Sequence, residues 1–384
     1  MKSLNQFAED KLDDLERRHL HRALAETYRE DGIWVERDGR RMLSFSCNDY
    51  LNLTHHPLVK CAAIAALERY GVGSGASRLI TGNHPLYAEL EARLARLKET
   101  EAAVVFGSGY LANLGIIPVL IGRDGLVLLD ELSHACIHAG AHLSGGRVLT
   151  FRHNDIAHAR DLVAALRKEH DHALIVTDGV FSMDGDLAPL GELLTLADEH
   201  DAWLMSDDAH GLGVVGGGRG SSFAGNVHVP VSLQMGTLSK AVGAYGGYLC
   251  ASTPVIELMR NRARTLVYST GLPPAVVAAA IAALDVIERE PAYAELPVQK
   301  AMTFTRATGL PEAQSPIVPV IVGDEEKTLA ASQLLAAEGF LVAAIRPPTV
   351  PAGTARLRLT FTAQHPDDLI ARLATIVREN ILVV

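Results

Sequence analysis

The stretch AWLMSDDAHGLG, residues 202–213, sets the pattern by which the rest of the chain can be read. Ala202–Ser206 has the length and composition of a buried strand. It stops at two carboxylates, Asp207 and Asp208, and His210 follows three residues after the first. Similar short runs recur at Ala102–Phe106, Gly125–Leu129, Arg147–Phe151, Ala173–Thr177, Val231–Met235 and Gly246–Cys250, alternating with helical stretches. Seven strands alternating with helices predict an α/β fold built on a large, mostly parallel sheet covered on both faces. In such sheets chemistry collects at the carboxyl ends of the strands, where Asp207 stands.

Outward from this centre, a helix is expected at Leu58–Tyr70, then the Gly-rich loop GVGSGASRLITGNHP, then a strongly periodic helix at Leu86–Lys98. Residues 1–30 read as an amphipathic helix, with Leu4, Phe7, Leu12 and Leu15 at three-to-four spacing. WVERDGRRMLSF carries Asp38-Gly39 between two extended runs, a hairpin signal. A helix from Pro274 to about Glu290 connects to a smaller α/β unit. That unit is read as strands Ile317–Val322, Val342–Ile345 and Arg356–Thr362, a helix Lys327–Glu338 and a final helix from Pro366. The expected division is 1–50, a helix and hairpin packed on the small unit; 51–288, the large domain; and 289–384, the small C-terminal domain.

Composition narrows the function. With 35 Lys and Arg against 45 Asp and Glu, the net charge is −10, which argues against a phosphate-neutralising nucleic-acid binder. Arg17, Arg18 and Arg22 could still form a local basic patch. Cys47, Cys61, Cys136 and Cys250 show no metal-ligand spacing and read as reduced thiols, so no metal is expected and a cytoplasmic setting is. The N-terminus is too charged for a signal peptide, and the apolar run Ala275–Leu284 is too short to span a bilayer.

The chemistry is carried by a few segments. Gly236-Thr237-Leu238-Ser239-Lys240 follows a predicted strand. A lysine whose pKa is lowered there can form a Schiff base with a carbonyl cofactor, and the hydroxyls beside it can bind phosphate. The competing reading of this pentapeptide is a loop with a solvated lysine. Asp207 at a strand end can pair with a protonated pyridine nitrogen, as a pyridoxal phosphate (PLP) electron sink requires, and His210 could reach the phenolic oxygen of the same ring. An Asp-x-x-His pair also fits a metal site or a hydrolase triad, although no GxSxG elbow accompanies it. Phe106-Gly-Ser-Gly109-Tyr110 is a strand, a turn and a helix start, whose free N–H groups suit phosphate. His134, just after a strand, could stack on a flat ring; alone, it would read as a structural or surface histidine.

Together these segments resemble the fold-type I PLP-dependent transferases, and more narrowly the α-oxoamine synthases. The motifs are GSGASRLITGNH at 73–84, FGSGYLAN at 106–113, DELSHACIHAG at 130–140, DGVFSMDGD at 178–186, DDAHGLG at 207–213, GTLSK at 236–240, YSTGLPP at 268–274 and RPPTVPAGTARLRLT at 346–360. Asp178 stands where that family carries Glu. The resemblance implies that Lys240 is the Schiff-base lysine and acid/base and that Asp207 pairs with the pyridine nitrogen. It implies that His210 and Ser182 lie near the phenolic oxygen and that His134 stacks on the ring. Gly109, Tyr110, Thr237 and Ser239 would face the phosphate, with Thr270 reaching that site across a homodimer. Asn48 and Arg358 would hold the amino-acid carboxylate, and Arg22 and Thr349 would meet the acyl substrate.

The implied reaction is decarboxylative condensation of L-alanine with a pimeloyl thioester, carried by acyl carrier protein or CoA. Within the same family, use of glycine with acetyl- or succinyl-CoA is the rival. A non-catalytic partner subunit would lack the lysine, aspartate and histidine kept here, and a nicotinamide-dependent oxidoreductase would need a G-x-G-x-x-G absent after the first strand.

Overall fold

The short apolar runs of the middle of the chain do form strands, and all seven join one sheet. The computed structural model describes residues 3–17, 20–21, 24–225 and 227–382. The chain opens with α1 (Leu4–Arg17), β1 (Tyr28–Asp31), β2 (Trp34–Arg37) and β3 (Arg40–Ser44), followed by α2 (Pro57–Tyr70) and α3 (Leu86–Leu97). The alternating segment comprises β4 (Ala102–Phe106), α4 (Gly109–Leu120), β5 (Gly125–Asp130), α5 (Ala135–Ser144), β6 (Arg147–Phe151) and α6 (Ile156–Leu166). It continues with β7 (His172–Asp178), α7 (Leu190–Glu199), β8 (Trp203–Asp207), β9 (Leu233–Thr237) and β10 (Gly247–Ala251). Then follow α8 (Thr253–Arg262), α9 (Arg264–Val267), α10 (Pro274–Arg289) and α11 (Pro291–Thr308). The chain ends with β11 (Ile317–Gly323), α12 (Glu325–Ala337), β12 (Phe340–Leu341), β13 (Ala343–Ile345), β14 (Ala355–Thr360) and α13 (Asp367–Asn380).

The large sheet has the order β4-β10-β9-β8-β7-β5-β6. Strands β9, β8, β7, β5 and β6 are parallel, and β10 runs antiparallel to both its neighbours, β9 and β4. Helices cover both faces, so successive side chains of one strand enter different cores. Ala103 and Val105 of β4 pack with Tyr87, Leu94 and Ile281, whereas Val104 and Phe106 pack with Ile116, Ile137 and Met259. The outer edge of β4 is closed by side chains. Glu91 accepts from the Val105 N–H at 2.9 Å, Arg78 donates to the Val105 carbonyl at 3.1 Å, and Arg260 donates to the Ala103 carbonyl at 3.3 Å. An edge strand covered in this way offers little to a foreign strand.

The hairpin at Asp38-Gly39 forms as expected, with both residues in the left-handed region (φ 53° and 70°) that a two-residue turn requires. It joins the C-terminal unit: β3 pairs in parallel with β12, and Leu43 and Phe45 share a core with Phe304, Leu357, Phe361 and Leu373. Strands β11, β14 and β13 form a second, antiparallel sheet.

The structure departs from these expectations in several places. The N-terminal helix ends at Arg17; Tyr28–Asp31 is a strand, turned onto β2 through Gly32 at φ 57°. Asp31-Gly32 is turn chemistry that the apolar spacing of residues 1–30 concealed. Helix α1 buries no side chain, and Leu4, Phe7, Leu12 and Leu15 are exposed, while Glu16 in its last turn shares an open cleft with Glu325, Leu329 and Arg346 of the small unit. The strand expected at Val342–Ile345 starts one residue later, at Ala343, and buried Val342 separates it from an unexpected short strand, β12, that serves the other sheet. Helix α11 lies in a stretch, 291–308, for which no element is expected; Pro291 is in its first turn, where no donor is lost, and Pro297 is buried inside it. No helix among the described residues is long and apolar enough to cross a membrane.

Candidate active site

Three neighbouring parallel strands each end in an aspartate: Asp130 on β5, Asp178 on β7 and Asp207 on β8. All three are buried, and Asp178 and Asp207 stand opposite one another in register. Burying carboxylates side by side is costly, so each must find partners. Asp130 accepts from the N–H groups of Leu132 (2.9 Å) and Asn154 (2.8 Å) and from His153 Nδ1 (3.1 Å). The other nitrogen of His153 lies 2.8 Å from Asp186. Burial pulls the His153 pKa down, but the hydrogen bonds and charges of Asp130 and Asp186 outweigh it and lift it to about 10, so the ring is a cation holding two loops together.

Asp178 accepts from the backbone N–H of His134 at 2.9 Å, which fixes the start of α5. Asp207 accepts from Asn113 Nδ2 at 2.8 Å and from the Ala209 N–H at 3.0 Å. Burial raises the pKa of both carboxyls, and for Asp178 the neighbouring Asp207 charge adds to the effect. Asp207 thus has hydrogen-bond donors but, among the described residues, no lysine or arginine in salt-bridge contact, and Lys240 acts on it only at longer range. A protonated pyridine nitrogen would supply the missing positive charge, and in this respect the residues fit PLP.

Lys240 follows β9 and is mostly buried. Burial, reinforced by the Arg358 charge, lowers its pKa below the ordinary lysine value, while Asp207 pulls the other way. A lysine so placed is more readily the neutral amine that attacks a carbonyl. Burial also holds the His210 imidazole well below its ordinary value, with Lys240 and Arg358 adding to the effect. Its Nδ1 lies 2.6 Å from the Tyr50 hydroxyl, which burial pushes up to about 12. The phenol keeps its proton and the imidazole is neutral, so the two share one hydrogen bond, and the same hydroxyl lies 3.3 Å from Asn48 Oδ1.

Thr237 Oγ1 lies 2.8 Å from Ser239 Oγ, and Gly109 opens α4 beside them. A Cβ at position 109 would come within 3.3 Å of Thr237 Cβ, so glycine allows the helix start to sit against the hydroxyl pair. Ser108 caps α4 by accepting from the Leu111 N–H, and the N–H groups ahead of it lie in the first turn, where an α-helix has no acceptor for them. Tyr110 is half-exposed next to this point. Arg358, buried on β14, donates to the Ser182 carbonyl and to Asn48 Oδ1 (3.2 Å), bringing together three residues far apart in sequence.

The other expected residues sit further out. Thr270 is exposed and forms an isolated antiparallel bridge with Ser77, so YSTGLPP packs on the loop 73–84. Thr349 is exposed in a turn, where its N–H donates to the Arg346 carbonyl. Arg17 is an exposed residue ending α1, whereas Arg18 and Arg22 lie outside the described residues. Among the described residues no group of three or more His, Cys, Asp or Glu side chains could hold a metal. Sequence reasoning missed Asn113, Tyr50 and Cys136 as partners of Asp207, His210 and His134. Asn113 lies in the FGSGYLAN motif, but nothing local marks a contact that spans 94 residues.

Comparison with known proteins is consistent with this geometry. The sequence matches the aminotransferase class I and II family over residues 40–377. An 8-amino-7-oxononanoate synthase of Methylocella silvestris is 66% identical over 345 residues, covering 90% of this chain and 98% of that one. One from Beijerinckia indica is 61% identical and covers 98% of each. Among solved structures, serine palmitoyltransferase from S. paucimobilis, with a bound PLP–myriocin aldimine, matches with a TM-score of 0.91 at 30% identity over 98% of both chains.

Proposed function

Because this chain belongs to the aminotransferase class I and II family, and within it to the 8-amino-7-oxononanoate synthases, we propose that it condenses L-alanine with a pimeloyl thioester. The products are 8-amino-7-oxononanoate, carbon dioxide and the free carrier, a step of biotin synthesis. The observation that carries the reading is the convergence on one strand edge of Asp207, Lys240, His210 and the Arg358–Asn48 pair.

The chain's own residues have distinct tasks in this reading. Lys240 would hold the aldehyde carbon of PLP and, once the incoming amine releases it, take the proton from the alanine Cα. PLP, when bound, supplies an electron sink for the pair left at Cα. Asp207 would keep the pyridine nitrogen protonated, His134 would lie against the ring, and His210 would donate Nε2–H to its phenolic oxygen, with Ser182 nearby. Gly109, Tyr110, Thr237 and Ser239 would hold the phosphate, joined by Thr270 from the second subunit of a homodimer. Arg358 and Asn48 would bind the alanine carboxylate, Arg358 supplying a charge-assisted fork. Arg22 and Thr349 would meet the acyl chain.

The test is product identification by mass spectrometry after incubating the PLP-loaded enzyme with alanine and pimeloyl-CoA or pimeloyl acyl carrier protein. Product of the mass of 8-amino-7-oxononanoate is expected. Turnover with glycine and acetyl- or succinyl-CoA, but none with alanine and either pimeloyl donor, would refute the reading.

A further inference from the structure

Two residues assigned to the cofactor, Asp207 and His134, are joined through Asn113 and Cys136 into one connected line of four side chains. Asn113 Nδ2 lies 2.8 Å from Asp207 Oδ2 and 3.1 Å from Cys136 Sγ. Cys136 Sγ lies 2.8 Å from His134 Nδ1, and the Cys136 backbone N–H reaches the same nitrogen at 3.3 Å. The direction of each bond follows from what the groups can do. An amide nitrogen only donates, so its two hydrogens go to the carboxylate and to the sulfur. The sulfur, having accepted one hydrogen bond, has its single proton left to give to His134 Nδ1. Nδ1 is then approached by two donors, the thiol and the backbone N–H, and carries no proton of its own. Burial, with the Asp207 charge adding to it, pushes the thiol up to about 12, so it keeps that proton at neutral pH.

We propose that Cys136 is a positioning residue: it fixes His134 as the Nε2–H tautomer and, through Asn113, locks His134 and Asp207 into one rigid unit. The competing reading is that Cys136 only fills space, since it also packs in the core with Ile116, Ile137 and Met205. Packing, however, does not require a sulfur within hydrogen-bonding distance of both an amide and an imidazole. The significance for catalysis rests on the proposed roles of His134 and Asp207; the tautomer does not.

Histidine-labelled protein, observed by nitrogen NMR without and with PLP, separates these points. The His134 signals are identified by their loss in His134→Asn. Wild type and Cys136→Ser, which keeps a donor at the same place, should show Nδ1 unprotonated and Nε2 protonated. Cys136→Ala should lose the dominance of that tautomer. In the loaded enzyme its kcat should fall about ten-fold, in the range lost when an orienting partner is removed from a functional histidine, with little change in KM for alanine and recovery in Cys136→Ser. A proton on Nδ1 in the wild type, or identical His134 signals in wild type and Cys136→Ala, overturns the proposal. The expected tautomer shift with unchanged turnover would overturn the coupling to catalysis. Failure of the proposed function would be seen separately, as absence of the ketone product in the wild type.

Discussion

Replacing Lys98 by Met removes one partner of the most deeply buried ion pair in the described chain. Lys98 Nζ lies 2.7 Å from Asp208 Oδ2, with side chains 1% and 2% exposed, and it also donates to the Arg219 carbonyl at 2.8 Å. After the substitution Asp208 would keep the Ser221 N–H, 2.9 Å from its other oxygen, but would face no cation. Breaking a buried pair from one side costs about 3–5 kcal/mol, because an uncompensated charge is left inside. That is a large part of the 5–15 kcal/mol, roughly, by which a folded protein is stable. A urea titration followed by far-UV circular dichroism should show an earlier midpoint with an unchanged slope, which marks lost stability rather than an altered unfolded state. The double variant Lys98→Met, Asp208→Asn has no orphaned charge and should recover a substantial part of the loss. If the single variant unfolds within about 1 kcal/mol of wild type, or the double is no better than the single, the pair is not the internal brace it is taken for.

Lys240→Ala should abolish turnover and the borohydride-reducible link to PLP while leaving the circular dichroism unchanged; full activity with the same link would refute its role. Asp207→Asn should slow exchange of the alanine Cα proton with solvent far more than it weakens alanine binding, and an unchanged exchange rate would remove Asp207 from the mechanism. The His153 pKa in the folded chain, about 10, lies above its ordinary value of 6.5, so its stabilising contribution is complete below pH 6.5 and disappears as pH rises through about 10. His153→Gln should therefore be less stable than wild type at pH 6 and flatten the decline toward pH 10.5; parallel stability–pH curves would contradict the clasp. Mixing inactive Lys240→Ala with an inactive Thr270→Ala variant should restore part of the activity after subunit exchange, because one kind of shared site carries neither lesion; no recovery after verified exchange would mean self-contained sites.

The sequence exposed what is written locally. Short buried runs marked the strands, and one of them the carboxylate Asp207, although β8 and β9 lie one to two residues later than the hydrophobic runs suggested; the row that Asp207 forms with Asp130 and Asp178 emerges only from the sheet order. Position along a strand is set by partner register, which hydrophobicity alone does not encode. The residues assigned to the cofactor came from motifs next to strand ends, because such sites are built at the edge of the sheet. Their supporting partners were hidden for the opposite reason. Tyr50 meets His210 across 160 residues, and Asn113 meets Asp207 across 94. Helix α11 followed an expected connector directly and was not separated from it, and β1 was hidden by the amphipathic spacing before it. In each case the tertiary contacts, and not local preference, decide the outcome.

The reversed strand β10 also bears on how the protein is made. Strand β4 is synthesised early, yet its inner edge pairs only with β10, and the partner of Phe106 is Gly247. The ribosome must add about 140 further residues before that partner exists, which at about 5–20 residues per second is roughly 7–30 seconds. During that interval Arg78 and Glu91 can already shield the outer edge of β4, whereas the backbone groups of its inner edge stay unpaired between faces made apolar by Val104, Val105 and Phe106. The nascent chain is thus most prone to wrong pairing between the emergence of residue 106 and that of residue 251. It is over this window that a chaperone would matter most and that slowed translation would be most harmful.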